Sequence, residues 1–392
     1  MPATIILYES PEVDWLGPPA STRPVWDIAL GPFTSATLLK RALPDADMHF
    51  WSREKLQGLS PRPSIKADDV YLIDARLLPI NDKLAEALSD LNPGQTLDAG
   101  ALEFARRLAG GEALDFLKSL DDPAAPPEPS DKPLKSAFGP MLRFWWEMPQ
   151  ISAGLLLTRW TDALAQTGAK KVGEGELYLA PGAKVQPDVA ISEGPVLLDR
   201  GAQVAAQSYI GGPCFLGPGT LVRPQARLLH GVFAGPQCRL GGEIEESVFL
   251  GYANKQHDGF LGHAVIGEWV NLGAGTNNSD LKNNYSSVRT SWRGRPFESG
   301  QNILGCCIGD HSKIAIGGRI NTGSVIGSFC NWFGSGFPPK ELSDFSWAGD
   351  GVMEVHQVDK ALATAKAVMA RRDIVLDPAR QALYLSMAEP SS

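Results

Sequence analysis

At 392 residues the chain is long enough for two or three domains, and 43 % hydrophobic against 20 % charged residues excludes a mostly disordered polypeptide. Its 41 Gly and 30 Pro argue for many tight corners and against an all-helical protein. A net charge of −8 without any basic tract disfavours a nucleic-acid or anionic-membrane partner.

The first residues lack a basic n-region, and the apolar run at 4–8 is too short for a signal peptide. The later run at 151–157 is broken by Ser152 and Gly154 and is too short to span a bilayer. The expectation is a cytoplasmic protein. Five cysteines (Cys214, Cys238, Cys306, Cys307, Cys330) contain no C-x-x-C pair, which argues against both a disulfide framework and a zinc ribbon.

In chain order, residues 4–8 (T-I-I-L-Y) read as a buried strand and 33–43 as a helix. Residues 70–75 (V-Y-L-I-D-A) read as a second strand, with helices at 84–91 and 101–120. Strands separated by helices imply an α/β unit. Residues 121–132 are Pro-rich and charged and read as an extended exposed connection. Residues 138–167 read as largely helical, with Trp145 and Trp146 as packing surface between domains.

From residue 179 the period becomes six. Leu179, Val185 and Ile191 are followed, after a slip of one, by Leu198, Val204, Ile210, Leu216, Val222 and Leu228. The frame resumes at Phe260, Ile266 and Leu272, then at Ile308, Ile314, Ile320 and Ile326. Four residues after many anchors stands a small residue, such as Ala202, Ser208, Cys214, Thr220, Cys238 or Ser312. A six-residue period suits a three-sided parallel β-helix, in which one aliphatic per side points to the axis and a small residue fits each corner. Cys214 and Cys238 then fall in corner slots as packing residues. Residues 355–371 read as a C-terminal helix with Val355, Val358, Leu362, Ala365 and Met369 on the stripe that packs on the prism.

Two polar stretches interrupt the hexads, 251–259 and 277–302, and chemistry is expected where loops leave regular coils. His257, closing the first, is the candidate base, since a neutral imidazole near pH 7 accepts a proton from an attacking amine or hydroxyl. His257 and His263 are one hexad apart and would lie on neighbouring sides, so they cannot share a metal within one subunit. A zinc site between subunits involving His230 or His311 is the alternative weighed, and no metal is assigned.

The string from His257 to Thr276, His-Asp-Gly-Phe-Leu-Gly-His-Ala-Val-Ile-Gly-Glu-Trp-Val-Asn-Leu-Gly-Ala-Gly-Thr, resembles the acetyltransferase segment of the bifunctional GlmU enzymes. Further strings, Gly251-Tyr-Ala-Asn-Lys-Gln-His, Thr276-Asn-Asn-Ser-Asp-Leu-Lys-Asn-Asn-Tyr285, Gly309-Asp-His-Ser-Lys313 and Ser21-Thr-Arg-Pro-Val-Trp-Asp, are similar to a GlmU-like subfamily of sugar nucleotidyltransferases. The resemblance implies a left-handed coil, His257 as the base that deprotonates a sugar amine, Asn271 as a sugar contact and Arg223 as the phosphate contact. Phe260 replaces the family Tyr that touches substrate. Glu245 stands where spacing puts a phosphate-binding Lys, leaving Lys255 and Lys282 as compensating cations. Gly273, Gly275, Lys313 and Asn321 are the expected contacts for acetyl-CoA, the co-substrate. In the N-terminal half, Gly17-Pro-Pro-Ala-Ser-Thr-Arg23 stands in place of a Gly-rich phosphate loop. Two of its residues lack N–H groups, which leaves Arg23 and Lys40 for a nucleotide and Asp74 for Mg²⁺.

The expected architecture is a degenerate nucleotidyltransferase-like α/β domain at 1–174, a left-handed parallel β-helix of hexapeptide repeats at 175–350 and a helical tail at 351–392. The expected function is acetyl transfer from acetyl-CoA to an amino sugar or sugar phosphate, by a homotrimer with no nucleic-acid or membrane partner. The alternatives are a sugar-1-phosphate nucleotidyltransferase making a nucleotide sugar and a non-catalytic trimeric scaffold that binds a sugar nucleotide.

Overall fold

A computed structural model describes residues 4–99, 102–121 and 136–389, so the Pro-rich stretch beyond Asp121 lies outside the described residues. The N-terminal part is a five-stranded sheet of β1 (Thr4–Tyr8), β2 (Asp47–Trp51), β3 (Asp69–Asp74), β4 (Thr96–Ala99) and β5 (Leu102–Ala109), in the order β2-β1-β3-β5-β4. The first three are parallel, and β5 runs antiparallel to both β3 and β4. Helices α1 (Ser35–Ala42), α2 (Lys83–Ser89) and α3 (Gly110–Ser119) connect or flank these strands, and α4 (Met148–Thr158) and α5 (Trp160–Thr167) lead to the second part. The helix expected over 101–120 is therefore strand in its first half. L-E-F-A-R-R-L-A is rich in helix formers, but pairing on both edges and burial of Phe104 and Ala105 override that preference.

The second part is a parallel β-solenoid. Two of its three faces are ten-stranded sheets, and the third is a five-stranded sheet followed by the pair Asn277–Asn278 and Arg319–Ile320. The hexad aliphatics fill its interior. Leu198 and Leu216 line the first face, Val204 and Val222 the second, Ile210 and Leu228 the third, all buried in one cluster. The small-residue positions are buried at the corners, and all five cysteines are free and buried. Burial pushes the Cys214 and Cys238 thiols up to about 12, which suits packing. One anchor is displaced: Phe260 points outward, and its neighbour Leu261 pairs with Ile244 inside.

The first face is apolar on both sides. Its outward column (Leu197, Phe215, Phe233, Val248, Val265, Cys307 and Val325) belongs to the same buried cluster as Trp145, Met148, Leu155 and the α/β core. The N-terminal domain is thus seated along this face, and Cys307 faces the domain boundary while Cys306 faces the axis. The excursion at 277–302 tightens the seat. It forms an antiparallel hairpin, Arg289–Trp292 with Arg295–Glu298, whose Phe297 ring packs on Trp15 and Trp146 and whose Arg293 pairs with Asp14. It is an interdomain clasp.

The second face is capped by α6 (Val358–Ala370) and α7 (Pro378–Met387). They rest on a corner column of stacked rings, Tyr252, Trp269, His311, Phe329 and Phe345, all at φ between 55° and 62°. His311 is sealed inside this stack, where burial and then the nearby Lys313 charge drive its pKa well down. That location removes it from any metal site between subunits.

Candidate active site

The corner between the second and third faces carries His257. The stretch 251–259 is a regular coil and not a loop insertion, because Asn254 and Lys255 pair with Arg239 and Leu240 of the coil before it. What broke the hexad reading is one polar residue in an aliphatic column: Lys255 occupies the axial position between Leu240 and Leu272. Lys255 is 0 % exposed, and its ammonium donates to the carbonyls of His257 at 2.6 Å and Asp258 at 3.1 Å. Burial lowers its pKa to about 8. The expected role as a substrate cation is replaced by an internal one: Lys255 pins from inside the turn that presents His257, whose side chain lies exposed outside.

Gln256, the neighbour of His257, lines a pocket of about 230 Å³ between the second face and the end of α6. Its walls include Arg239, Asn254 and Asn271 from three successive coils, with Arg371 and Arg372 from the helix end. Among the described residues no carboxylate lines it. Arg239 spends its guanidinium on the carbonyls of Gly219, Gln237 and Cys238, and burial followed by the Arg372 charge lowers its pKa. The Nε atom of Arg372 is buried without a hydrogen-bond partner. Three arginines among amides, with no carboxylate among the described lining residues, make this pocket cationic. Asn271 lies here as one of its walls, and Arg223 is exposed two coils below Gln256 in the His257 corner column, against Gly241.

Arg239, Gln256, Arg371 and Arg372 were not singled out in the sequence. One signal was available for Arg239: the residue just before an axial aliphatic on this face points outward, which puts Arg239, Asn254, Asn271 and Lys313 in one column.

The other expected contacts fall elsewhere. The Lys313 ammonium donates to the carbonyls of Trp269 and His311 beneath the C-terminal helices, and burial lowers its pKa to about 7. Lys282 is tied within its own loop to the Ser287 carbonyl. Asn321 is exposed and accepts from the Thr322 N–H. Phe260 has its N–H on the Asn277 side chain at 2.7 Å. Gly273 has a structural reason to be Gly, since a Cβ there would sit 2.5 Å from the Ile316 nitrogen of the next coil; Gly275 adopts φ 72°.

In the N-terminal domain the expected nucleotide and metal ligands are engaged internally. Arg23 is buried and donates at 2.5 Å to Asp310 of the solenoid, with Glu268 at 3.3 Å; Thr22 donates to the same Asp310 oxygen at 2.6 Å. The two carboxylates raise the Arg23 pKa against the opposing effect of burial. Glu268 also pairs with Arg380 of α7, so a single network joins both domains and the tail. Asp74 is 1 % exposed and is gripped by Arg76 through contacts of 2.7–3.1 Å. With its carboxylate neutralised and buried, the donor set at Asp74 does not fit Mg²⁺. Lys40 is exposed on the last turn of α1, bonded to the Ala46 carbonyl.

Among known proteins, residues 5–168 match the family described as sugar nucleotidyl transferase. The chain is 31 % identical over 151 residues to a bifunctional sugar-1-phosphate nucleotidylyltransferase/acetyltransferase of Sulfurisphaera tokodaii, covering 37 % of this chain and 36 % of that protein. It is 29 % identical over 153 residues to the bifunctional protein GlmU of Heliobacterium modesticaldum, covering 38 % of this chain and 32 % of that one. The chain thus spans about a third of the length of these curated relatives. Among solved structures it is similar to an Arabidopsis UDP-N-acetylglucosamine acyltransferase at 14 % identity, with a TM-score of 0.26 over 49 % of this chain and 78 % of that one. The GlmU-like resemblance read in the sequence is supported by the family match and the curated relatives.

Proposed function

We propose that the protein is an acyltransferase that moves an acetyl group from acetyl-CoA to the amine of a sugar or sugar phosphate at the His257 corner. The observation that supports this reading is the Lys255-pinned turn, in which Gln256 lines the arginine pocket and the next residue, His257, is exposed. In the reaction the amine nitrogen attacks the thioester carbon, His257 takes the amine proton, and the C–S bond breaks as the new C–N bond forms. The proton then passes to the departing thiolate. Arg239, Arg371 and Arg372 supply the charge that a phosphate-bearing reactant needs. The nucleotidyl-transfer alternative rests on the family match at residues 5–168, but Arg23 and Asp74 are both committed to internal ion pairs.

The corner above His257 also suits a second copy of the chain. Ile316, two coils further along, is 80 % exposed, and Phe333 and Phe337, in the chain that leaves this corner on the next coil, are exposed as well. We take the active form to be a trimer closed along this corner, and Ile316→Glu should reduce the mass seen in sedimentation equilibrium. The central test measures thiol release from acetyl-CoA with a panel of amino sugars and their 1-phosphates. His257→Ala should lower turnover by about 10²–10⁴ with folding intact. Turnover by the native protein that survives this substitution would remove His257 from the mechanism. Pyrophosphate release from a nucleoside triphosphate and a sugar 1-phosphate, without thiol release, would favour the alternative.

A further inference from the structure

The corner between the third and first faces holds a chain of alternating histidines and carboxylates that the proposed transfer does not use. Asp280 bonds His263 Nδ1 at 2.9 Å, His263 Nε2 faces Glu246 at 3.4 Å, and the other Glu246 oxygen meets His230 Nε2 at 2.8 Å. The four residues come from three coils and the start of the clasp, so the register of the solenoid builds this chain. It opens on a cleft of about 560 Å³, within the range of small-molecule sites, whose opposite wall is α4 of the N-terminal domain. That wall is apolar, with Trp146, Pro149 and Ala153, and is extended by Ile303, which is 47 % exposed; Gln150 and Gln301 supply amides at the edges.

Among the described residues no Lys or Arg lines this cleft, in contrast to the arginine pocket. Glu245 lies 3.7 Å from His230 on the same side and adds negative charge. A phosphate would meet the Glu246 carboxylate here, while the His263 imidazole is already engaged by Glu246 and Asp280. An apolar wall facing fixed acceptors and amides matches a pyranose, which has one hydrocarbon face and a rim of hydroxyl or amino donors.

We propose that this cleft is a second binding site that takes a phosphate-free saccharide, with Glu246 accepting from a hydroxyl or amino group of the sugar. Its two histidine partners hold the Glu246 carboxylate in place and ionised, so the acceptor is preorganised before the ligand arrives. The inference stands independently of the acetyl-transfer reading, because none of its residues is shared with the His257 corner.

The test is calorimetric or NMR titration of the full chain with glucosamine, N-acetylglucosamine and glucosamine 1-phosphate. The expected result is saturable binding of at least one phosphate-free sugar, with glucosamine 1-phosphate binding at this site more weakly. Glu246→Gln should weaken it by about tenfold or more, as expected for loss of a charged acceptor. Ala153→Phe, which fills the cleft from the α4 side and leaves the charge chain intact, should also abolish it, and unchanged thermal unfolding will show that this variant is folded. Absence of saturable binding of either phosphate-free sugar overturns the proposal. So does binding that leaves the ring resonances of His230 and His263 unmoved, which would place the sugar at the other corner, and so does a shift of those resonances that survives Ala153→Phe.

Discussion

Replacing Lys255 by Met tests whether a charge resides inside the solenoid. The side chain is fully buried in a column of aliphatics, and its pKa falls from the ordinary 10.5 to about 8. That difference corresponds to about 3 kcal/mol of unfavourable charge burial. Below pH 8 the folded and unfolded chains both hold the proton, and the full cost is present. Between pH 8 and 10.5 the unfolded chain binds more protons than the folded one, so this group makes stability rise with pH. Above 10.5 the cost has vanished. Lys255→Met has no such proton, and all other titrations cancel in the difference between the two proteins. Urea unfolding followed by tryptophan fluorescence at pH 7, 8.5 and 10 should therefore show the native protein gaining about 2–3 kcal/mol relative to the variant across this range. At pH 7 the sign of the difference is open to competition, because Met removes the buried charge but leaves the His257 and Asp258 carbonyls without their donor. A gap between the proteins that stays constant from pH 7 to 10 would mean that the ammonium reaches water, and the pinned-turn argument would fail with it.

Other substitutions probe the remaining supports. Ile210→Ala, at a fully buried axial position, should cost about 2–5 kcal/mol through cavity formation in the same urea assay. Arg23→Met leaves the buried Asp310 without its cation and should cost about 3–5 kcal/mol, with limited proteolysis reporting whether the domains separate. For His263, burial opposes the charge, but bonds to Asp280 and Glu246 outweigh it and hold the pKa up to about 9. Its contribution is fully present below the ordinary value of 6.5 and is lost as pH rises through 9. The stability gap between native protein and His263→Gln should accordingly shrink by roughly 2–3 kcal/mol between pH 6 and 9.5; a gap that widens over this range would contradict the ion-pair geometry.

The solenoid was legible because its constraint is local and repeated. Every sixth residue meets the same axis, so Val204, Ile210 and Leu216 report the coil without knowledge of any distant partner. The failures share the opposite character. β5 reads as helix by its own composition and is a strand only because β3 and β4, distant and near in sequence, pair with it. The hairpin at 289–298 is polar and irregular as sequence, and its role as a clasp depends on Asp14, Trp15 and Trp146. At the candidate site, the His257 corner follows from register, whereas the arginine pocket needs α6 laid back across coils more than a hundred residues earlier. No periodicity encodes that return.

The same logic bears on what became of the N-terminal domain. A guanidinium that recruits a nucleotide must reach the phosphates from a solvated cleft, exchanging water for ligand at little cost. Arg23 instead bridges to Asp310, which is itself fully buried and also accepts from Thr22 and the Glu268 N–H. Pulling Arg23 out toward a triphosphate would strand a buried carboxylate at a cost of about 3–5 kcal/mol, equivalent to a loss of about two to three orders of magnitude or more in affinity. Seating the domain on the apolar first face and keeping Arg23 free for a nucleotide are therefore competing uses of one residue, and the ion pair with Asp310 decides for the seat. What the domain contributes in this arrangement is a wall: it covers Phe215, Phe233 and Val248 and leaves His257 exposed at its corner.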